Sequence, residues 1–268
     1  MRVVLLFLTI CSTIFSGESD VMTNPMCRDG FGSQFQTIVY SVVYAEFHNQ
    51  QFRYIPFVEM EHNYNNDVDF IEKKEWLINF IGNFEINKDL RLNRQISQKE
   101  QTQLFEFFEK NVARCADSDS LRKIKSVFRG NKNREDYFDN NVNVAVHIRR
   151  HNPHDNRLDG TQTPDDIYLK AIHALRDFYS PKKPVIHIYS QGDEEEFKKT
   201  FNGPDIVFHI NESIEETFAG MVLADALVTA TSSFSYVAGL LSEGTVYYFD
   251  HGSSYRHRPL PNWIELHP

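Results

Sequence analysis

The hydrophobic pattern of the chain changes character about halfway along its length. From Gly30 to about Phe128 the pattern is mixed and mostly helical, and Glu100–Cys115 has helical periodicity throughout. Phe52–Val58 is a short strand candidate. One apolar helix face, with spacings of three and four, is formed by Phe35, Ile38, Val39, Val42 and Val43.

Residues 129–140 are polar and predict a linker, after which strands and helices alternate regularly. The predicted strands are Val142–Ile148, Pro184–Tyr189, Ile206–His209, Ala226–Thr229 and Thr245–Phe249. The predicted helices are Asp165–Tyr179, Asp193–Phe201, Glu215–Ala224 and Phe234–Leu241. This alternation predicts an α/β fold with a mainly parallel sheet. Ligands of such sheets bind at the carboxyl ends of the strands, near helix N-termini.

Residues 1–18 have the order of a secretory signal peptide. One Arg precedes an apolar run from Val3 to Phe15, and the small residues Ser16 and Gly17 follow. Because the run is shorter than the ~20 residues that span a bilayer, we expect cleavage and no stable membrane span. The alternative is a buried first strand, since Val3–Ile10 is also strand-like. The sequon Asn211-Glu212-Ser213 fits a glycoprotein that passes through the secretory pathway.

Composition narrows the classes of function. Hydrophobic residues make up 41% and charged residues 24%, which are ordinary values for a soluble globular protein. With 28 Lys and Arg against 37 Asp and Glu, the net charge is −9, so we expect no nucleic-acid partner. Cys11 lies in the leader, and Cys27 and Cys115 could form one disulfide or stay as free thiols.

The first candidate site is the end of the strand VNVAVHIRR. Alternation along the strand puts His147 and Arg149 on one face and Arg150 on the other. Arginines that leave a buried strand are costly unless they meet an anion, and a guanidinium matches phosphate oxygens. The alternative is a set of strand-end salt bridges with nearby carboxylates.

Two further candidates precede helices. Ala230-Thr231-Ser232-Ser233-Phe234-Ser235 places small hydroxyl residues between a strand and a helix, where backbone N–H groups and the helix end can hold a pyrophosphate. Simple N-capping explains one serine but not the whole cluster, and the G-x-S-x-G elbow of a serine nucleophile is missing from the sequence. The second candidate, Asp29-Gly30-Phe31-Gly32-Ser33-Gln34, has two glycines that allow close backbone approach to a ligand.

Together these segments resemble the fucosyltransferase superfamily of GT-B glycosyltransferases. GFGSQFQ is similar to the N-terminal G-x-G-[NS]-Q loop of that family, and HIRR to its H-x-R-R signature. TPDDIYLKAI and IHIYSQGDEEEF resemble the helix and the strand segment that follow the signature. ADALVTATSSFSYVAGLL resembles the C-terminal Ser/Ser/Phe donor motif. The order and the spacing of these segments agree with the family over about residues 30–248.

The resemblance implies two Rossmann-like halves, the N-terminal one reduced, with a nucleotide-sugar donor between them. We expect residues 19–128 to form the acceptor-side half and residues 141–268 the nucleotide-sugar-binding half. The implied activity is inverting transfer of a sugar to a glycan or glycoprotein hydroxyl, with GDP-fucose as the usual donor and no metal cofactor. Arg149 would stabilise the leaving diphosphate and His147 would contact the base or ribose. The other implied donor-binding residues are Arg150, Ser232, Ser233, Phe234, Gly30, Gly32 and Gln34.

The sequence departs from the family pattern in places. His151-Asn152 stands where the family often has Gly-Asp after the H-x-R-R signature. Inversion needs a base for the acceptor hydroxyl, and Asp155 is our first candidate, ahead of Asp159. For the acidic residue that reads guanine in some members, the neighbourhood offers Glu215 and Glu216 without a one-to-one match.

Two other features have simpler explanations. Asp67-Val68-Asp69 is a DxD triplet, the metal signature of the other major glycosyltransferase fold, but it follows a polar Asn-rich stretch instead of a buried strand. The basic residues Arg122, Lys123, Lys125, Arg129 and Lys132 predict a solvated helix face and linker. Two rival functions remain: the same scaffold with another donor such as a UDP-pentose, or a catalytically silent binding protein.

Overall fold

The computed structural model describes residues 21–63, 66–89, 98–150, 163–249 and 257–267. The predicted leader and Asp155 lie outside the described residues. The helices are α1 (Phe31–Phe47), α2 (Phe70–Ile78), α3 (Gln98–Lys110), α4 (Val112–Ala116), α5 (Asp119–Arg129), α6 (Asp165–Tyr179), α7 (Glu194–Thr200), α8 (Ile214–Leu223) and α9 (Ser233–Leu241). The strands are β1 (Val21–Thr23), β2 (Gln51–Arg53), β3 (Asn143–His147), β4 (Val185–Ser190), β5 (Ile206–Ile210), β6 (Ala226–Val228), β7 (Thr245–Tyr248) and β8 (Ile264–Glu265).

The C-terminal half is built on a six-stranded parallel sheet in the order β5-β4-β3-β6-β7-β8. Along the chain, a helix connects each strand from β3 to β6 to the next strand, as the alternating pattern predicts. From β3 the strand order runs through β4 and β5 towards one side of the sheet, and from β6 it runs through β7 and β8 towards the other. The neighbouring strands β3 and β6 are therefore the point where the order switches, and a crevice forms at their carboxyl ends. The predicted α/β class with a parallel C-terminal sheet is confirmed.

The N-terminal half is reduced, also as predicted, because its described strands form only a two-stranded parallel pair, β1 with β2. The long helix α1 carries most of this half and is buried along nearly its whole length. One hydrophobic cluster takes residues from α1, α3 and α5 and joins them to α8 and α9 of the other half. A second cluster lies between the sheet and α6 and α7.

Arg122 and Lys123 of the basic run are exposed, as predicted for a solvated face. The other three basic side chains tie elements together, which corrects the prediction for Lys125, Arg129 and Lys132. Lys125 Nζ donates to the carbonyl of Ser242, and Arg129 reaches the carbonyl of Val222. Lys132 Nζ donates to the carbonyl of Leu77 at the end of α2. Lysine and arginine can bury their aliphatic carbons while the charged group forms a hydrogen bond at the surface. A basic run in the sequence therefore does not reveal which charged groups bind backbone carbonyls.

Cys27 and Cys115 are free thiols in this structure, and burial raises the pKa of each to about 12. Of the helices in the described ranges, none has both the length and the apolar character needed to cross a membrane.

Candidate functional site

The strand-end motif and the serine-rich turn meet at the carboxyl edge of the sheet. Arg149 follows β3, and its Nη1 donates to the carbonyl of Thr231, 3.1 Å away. The imidazole of His147, the last residue of β3, lies 5.7 Å from the ring of Phe234, centroid to centroid. The neighbouring positions of β3 and β6 bring these residues together, although more than 80 residues separate them in sequence.

Two of the motif's serines shape the turn before α9. Ser232 is the N-cap of α9, and its Oγ accepts a hydrogen bond from the N–H of Phe234. Ser235 is fully buried, and its Oγ accepts from the N–H of Ala230 at 3.0 Å. The turn is therefore held by its own side chains, and the N-terminus of α9 is presented at the sheet edge.

The glycine loop brings the N-terminus of α1 against the N-terminus of α9. A Cβ built on Gly32 would lie 2.5 Å from the backbone nitrogen of Phe234, so only glycine permits this approach. The rings of Phe31 and Phe234 both pack on Phe218, at centroid distances of 5.1 and 5.3 Å. Two helix N-termini, each carrying partial positive charge, are thus joined beside Arg149.

Among the described residues, no hydrogen-bond partner is found for two buried polar atoms of this site, the Nδ1 of His147 and the Oγ1 of Thr231. The side chain of His147 is 8% exposed. Burial lowers the pKa of His147 to about 3, and Arg149 adds to the effect, so the imidazole is neutral at ordinary pH. Unsatisfied buried groups are rare in folded proteins, and these two indicate a place where a ligand supplies the missing partners.

Gln34 belongs to the same region but acts on the loop itself. Its amide nitrogen donates to the carbonyls of Asp29 and Glu59, at 2.7 and 2.9 Å. The N–H of Gly30 donates to the carboxylate of Asp29. Since both amide hydrogens of Gln34 are used by backbone carbonyls, Gln34 shapes the loop and has no N–H left for a donor sugar nucleotide.

Arg150 does not join the predicted group of donor-binding residues. It forms an ion pair with Asp165 at the start of α6, and its guanidinium lies 4.9 Å from the ring centroid of Phe197. The alternation of β3 sends consecutive side chains to opposite faces, which separates Arg150 from Arg149. For Arg150 the salt-bridge alternative is the correct one.

The structure describes the candidates for guanine recognition but not the candidates for the acceptor base. Asp155 and Asp159 lie outside the described residues, so their assignment stays a prediction. Glu215 pairs with Lys74 at 2.7 Å, and the two side chains are 12% and 2% exposed. The backbone N–H of Glu216 is bound by the N-cap Ser213. Glu215 therefore links α8 to α2 and is already committed to a buried ion pair.

The aspartates of the DxD triplet help to begin α2. Asp67 pairs with Lys73 at 2.6 Å and accepts a hydrogen bond from the N–H of Asp69. The Lys73 hydrogen bond is the main cause that holds the pKa of Asp67 below its usual range.

A different group, Asp29, Glu61 and His62, brings three potential ligand atoms within 4.8 Å of one another beside Gly30. That group is chemically able to hold a cation or to accept a proton.

Sequence reasoning missed His257 as a site residue. Its Nε2 lies 3.0 Å from the Oγ of Ser233, the first residue of α9. His257 follows no motif, and the only available signal is topological. Chain that leaves the carboxyl end of β7 starts from the same sheet edge as β3 and β6.

The chain is similar to solved fucosyltransferase structures at low sequence identity. NodZ α-1,6-fucosyltransferase co-crystallised with GDP gives a TM-score of 0.47 and 12% identity, over 87% of this chain and 96% of that chain. Fucosyltransferase NodZ from Bradyrhizobium gives 0.45 and 13%, over 84% and 94%. POFUT1 in complex with GDP gives 0.45 and 12%, over 85% and 97%. No family model and no curated protein sequence matches the chain.

Proposed function

We propose that this chain is a glycosyltransferase that takes a sugar from a nucleoside-diphosphate donor, with GDP-fucose as the first candidate. One observation carries the proposal: Arg149, the buried imidazole of His147 and the N-termini of α1 and α9 converge at one sheet edge. The Nδ1 of that imidazole has no partner among the described residues. A guanidinium and helix N–H groups bind phosphate oxygens, and a neutral imidazole suits a ribose or base. These hydrogen-bond donors and positive charges fit a nucleoside diphosphate better than they fit a neutral ligand.

The chemistry follows from where charge develops. When the bond between the sugar carbon and the diphosphate oxygen breaks, that oxygen becomes anionic. Arg149 is fixed by Thr231, and the helix ends are fixed by their own caps, so these groups need little reorganisation to stabilise the charge. Ser233 and the N–H groups at the start of α9 hold the second phosphate. His147 stays neutral and forms a hydrogen bond to the nucleoside.

The acceptor is a hydroxyl of a glycan or glycoprotein that attacks the opposite face of the sugar, which inverts the anomeric configuration. Asp155 is the proposed base that takes the hydroxyl proton. The signal-like leader and the Asn211 sequon support a location in the secretory pathway, as an ER or Golgi lumen enzyme or as a secreted one. The proposal needs no metal, because Arg149 and the helix N-termini would supply the positive charge that stabilises a leaving diphosphate.

The test is a donor panel with the full chain. GDP-fucose, GDP-mannose, UDP-xylose and UDP-glucose are each incubated with the protein, and release of the free nucleoside diphosphate is measured with and without a mixed glycan acceptor. We expect turnover with GDP-fucose, raised by the acceptor. Arg149→Ala serves as the inactive control.

The panel separates the rivals. Turnover with UDP-xylose alone would keep the site and replace the donor, since the buried Lys74–Glu215 pair leaves the base reader unassigned. Tight nucleotide binding without turnover of any donor would indicate the catalytically silent binding protein. Neither binding nor turnover would contradict the proposed function.

A further inference from the structure

His257, which follows β7 in the sequence, contacts the first turn of α9. His257 Nε2 lies 3.0 Å from Ser233 Oγ. Ser233 is the first residue of the helix whose N-terminus adjoins Gly32 and Arg149. A titratable ring from outside every recognised motif therefore touches a hydroxyl at the centre of the candidate site.

His257 is held in place from two sides. Its ring lies 5.3 Å from the ring of Tyr236, whose hydroxyl donates to the carbonyl of Arg258 at 2.9 Å. The backbone N–H of Arg258 donates to the carboxylate of Glu109, and its guanidinium donates to the Glu109 carbonyl. These bonds attach the His257–Arg258 backbone to α9 and to α3, so the imidazole meets Ser233 from a fixed position.

Among the motif serines, Ser233 is set apart by its partner. Ser232 accepts from the N–H of Phe234, and Ser235 is bonded to the backbone of Ala230, so both serve the turn itself. The hydroxyl of Ser233 instead meets a side chain from another part of the chain. A hydroxyl can accept one hydrogen bond and donate another, and its proton turns to suit the partners.

We propose that His257 is a positioning residue for the nucleoside diphosphate. Its Nε2–H donates to Ser233 Oγ, which directs the Ser233 hydroxyl proton to a phosphate oxygen. This inference rests on the proposed function and deepens it, because it assigns the orientation of one phosphate-binding donor to a residue outside the motifs. Without His257 the hydroxyl proton is free to turn towards other acceptors.

The test is a double-mutant cycle on GDP binding, measured by isothermal titration with the full chain. His257→Ala and Ser233→Ala should each weaken GDP binding about tenfold, the size of one net hydrogen bond. The double variant should bind within about twofold of Ser233→Ala, because the two residues act through one interaction. His257→Gln keeps an amide N–H near the position of Nε2 and should recover most of the affinity.

Turnover and stability supply the controls. His257→Ala should raise the donor KM while kcat stays within about threefold, since the lost contact orients a bound phosphate. Thermal melting shows whether each variant is folded, and His257→Gln remains informative if the alanine variant is not. Wild-type affinity in His257→Ala, or losses that simply add in the double variant, would overturn this inference alone. Failure of the wild-type chain to bind any nucleotide would overturn the proposed function as well.

Discussion

At the scale of single residues, His147 shows how burial selects the role of a side chain. The ring is nearly buried beside Arg149, and burial lowers its pKa to about 3. A histidine in that state is a hydrogen-bonding group and not a cation or a titrating base between pH 5 and 8. In the proposed function, the charge of the diphosphate is therefore met by Arg149 and by the helix ends.

Residue types at a strand end could be predicted from the sequence, but their pairings could not. Period-two alternation correctly puts Arg149 near enough to His147 to add to the lowering of its pKa by burial, and it puts Arg150 in an ion pair with Asp165 instead. The side chain of Gln34 donates hydrogen bonds to the carbonyls of Asp29 and Glu59. The second bond depends on the position of residue 59 in the fold, which the local sequence pattern does not indicate. His257 depends in the same way on the return of the chain after β7.

The acceptor base gives the first prediction at this scale. Asp155→Asn removes the proposed proton acceptor and should lower kcat by about 10²–10⁴. Donor affinity should stay within a few-fold, because the carboxylate acts on the acceptor. Steady-state transfer and GDP titration on the same preparation check both parts. An equal loss of donor binding would mark Asp155 as a donor contact or as a structural residue.

At the scale of elements, the strands and helices from β3 to β7 could be predicted within a residue or two. The edge strand β8 and much of the N-terminal half could not. Helix α2 was missed because its sequence FIEKKEWLI buries Lys74 and Glu75, at 2% and 8% exposure. Lys74 pairs with Glu215, and Glu75 accepts from the hydroxyl of Tyr54. Hydrophobic periodicity does not recognise a face that is buried through paired charges.

Two other N-terminal predictions were wrong in extent for local reasons. The strand over Phe52–Val58 ends at Arg53. Tyr54 still forms an isolated parallel bridge with Ile86, but from Ile55 onward side chains satisfy backbone groups. Asn24 binds Ile55, and Glu75 accepts from the N–H of Phe57. The helix over Glu100–Cys115 is interrupted at Asn111, whose amide donates to the carbonyl of Phe107.

The helix contact at Gly32 gives the second prediction. Gly32→Ala puts a Cβ against the backbone of Phe234, which cannot move without shifting α9. We expect a loss of about 1–3 kcal/mol in unfolding free energy, together with weaker GDP binding.

The matched control for Gly32 is Gly30→Ala. Its Cβ would meet the imidazole of His62, the end of a side chain that can rotate away. We expect a loss below about 1 kcal/mol there, because a flexible neighbour relieves the overlap. Denaturant unfolding and GDP titration of both variants make the comparison. Equal effects of the two substitutions would contradict the close approach of α1 and α9.

At the scale of the whole molecule, the two halves share one hydrophobic cluster and a buried polar network. Glu109 of α3 is 4% exposed, accepts from the hydroxyl of Tyr40 and binds Arg258. Burial raises the pKa of Glu109 to about 7. The division into two halves at residues 129–140 stays a prediction. Residues on both sides of it belong to the same hydrophobic cluster.

The third prediction concerns the pH dependence of stability. Because the folded-state pKa of Glu109 is raised from 4.5 to about 7, the folded chain binds the extra proton, and stability falls as pH rises between those values. The corresponding change is about 3 kcal/mol. His147 and His187, whose pKa values are lowered to about 3 and 4, act with the opposite sign as pH falls below 6.5.

Subtraction isolates the contribution of Glu109. Unfolding free energies of the wild type and Glu109→Gln are measured from pH 4.5 to 8. The stability of Glu109→Gln relative to the wild type should rise by up to about 3 kcal/mol over that range. A difference that does not change with pH would contradict the raised pKa.

The fourth prediction is that transfer needs no divalent cation. Activity should be complete in excess EDTA and unchanged in Asp67→Asn/Asp69→Asn. Asp67 is paired with Lys73, and in the proposed function Arg149 and the helix ends supply the positive charge for the diphosphate. Loss of activity in both experiments would overturn the account. Loss in EDTA alone would place a metal requirement elsewhere, with Asp29, Glu61 and His62 as the first ligands to vary.

The central claim is that Arg149 and the two helix N-termini form a binding site for a nucleoside diphosphate. Its most direct test is titration of GDP into the wild type, Arg149→Ala and Arg150→Ala. We predict that Arg149→Ala weakens GDP binding about 10- to 100-fold, since a charge-assisted contact is lost. Arg150→Ala, which removes the neighbouring arginine and its ion pair with Asp165, should bind GDP within about threefold of the wild type. Equal losses in the two variants, or unchanged binding in Arg149→Ala, would contradict the account.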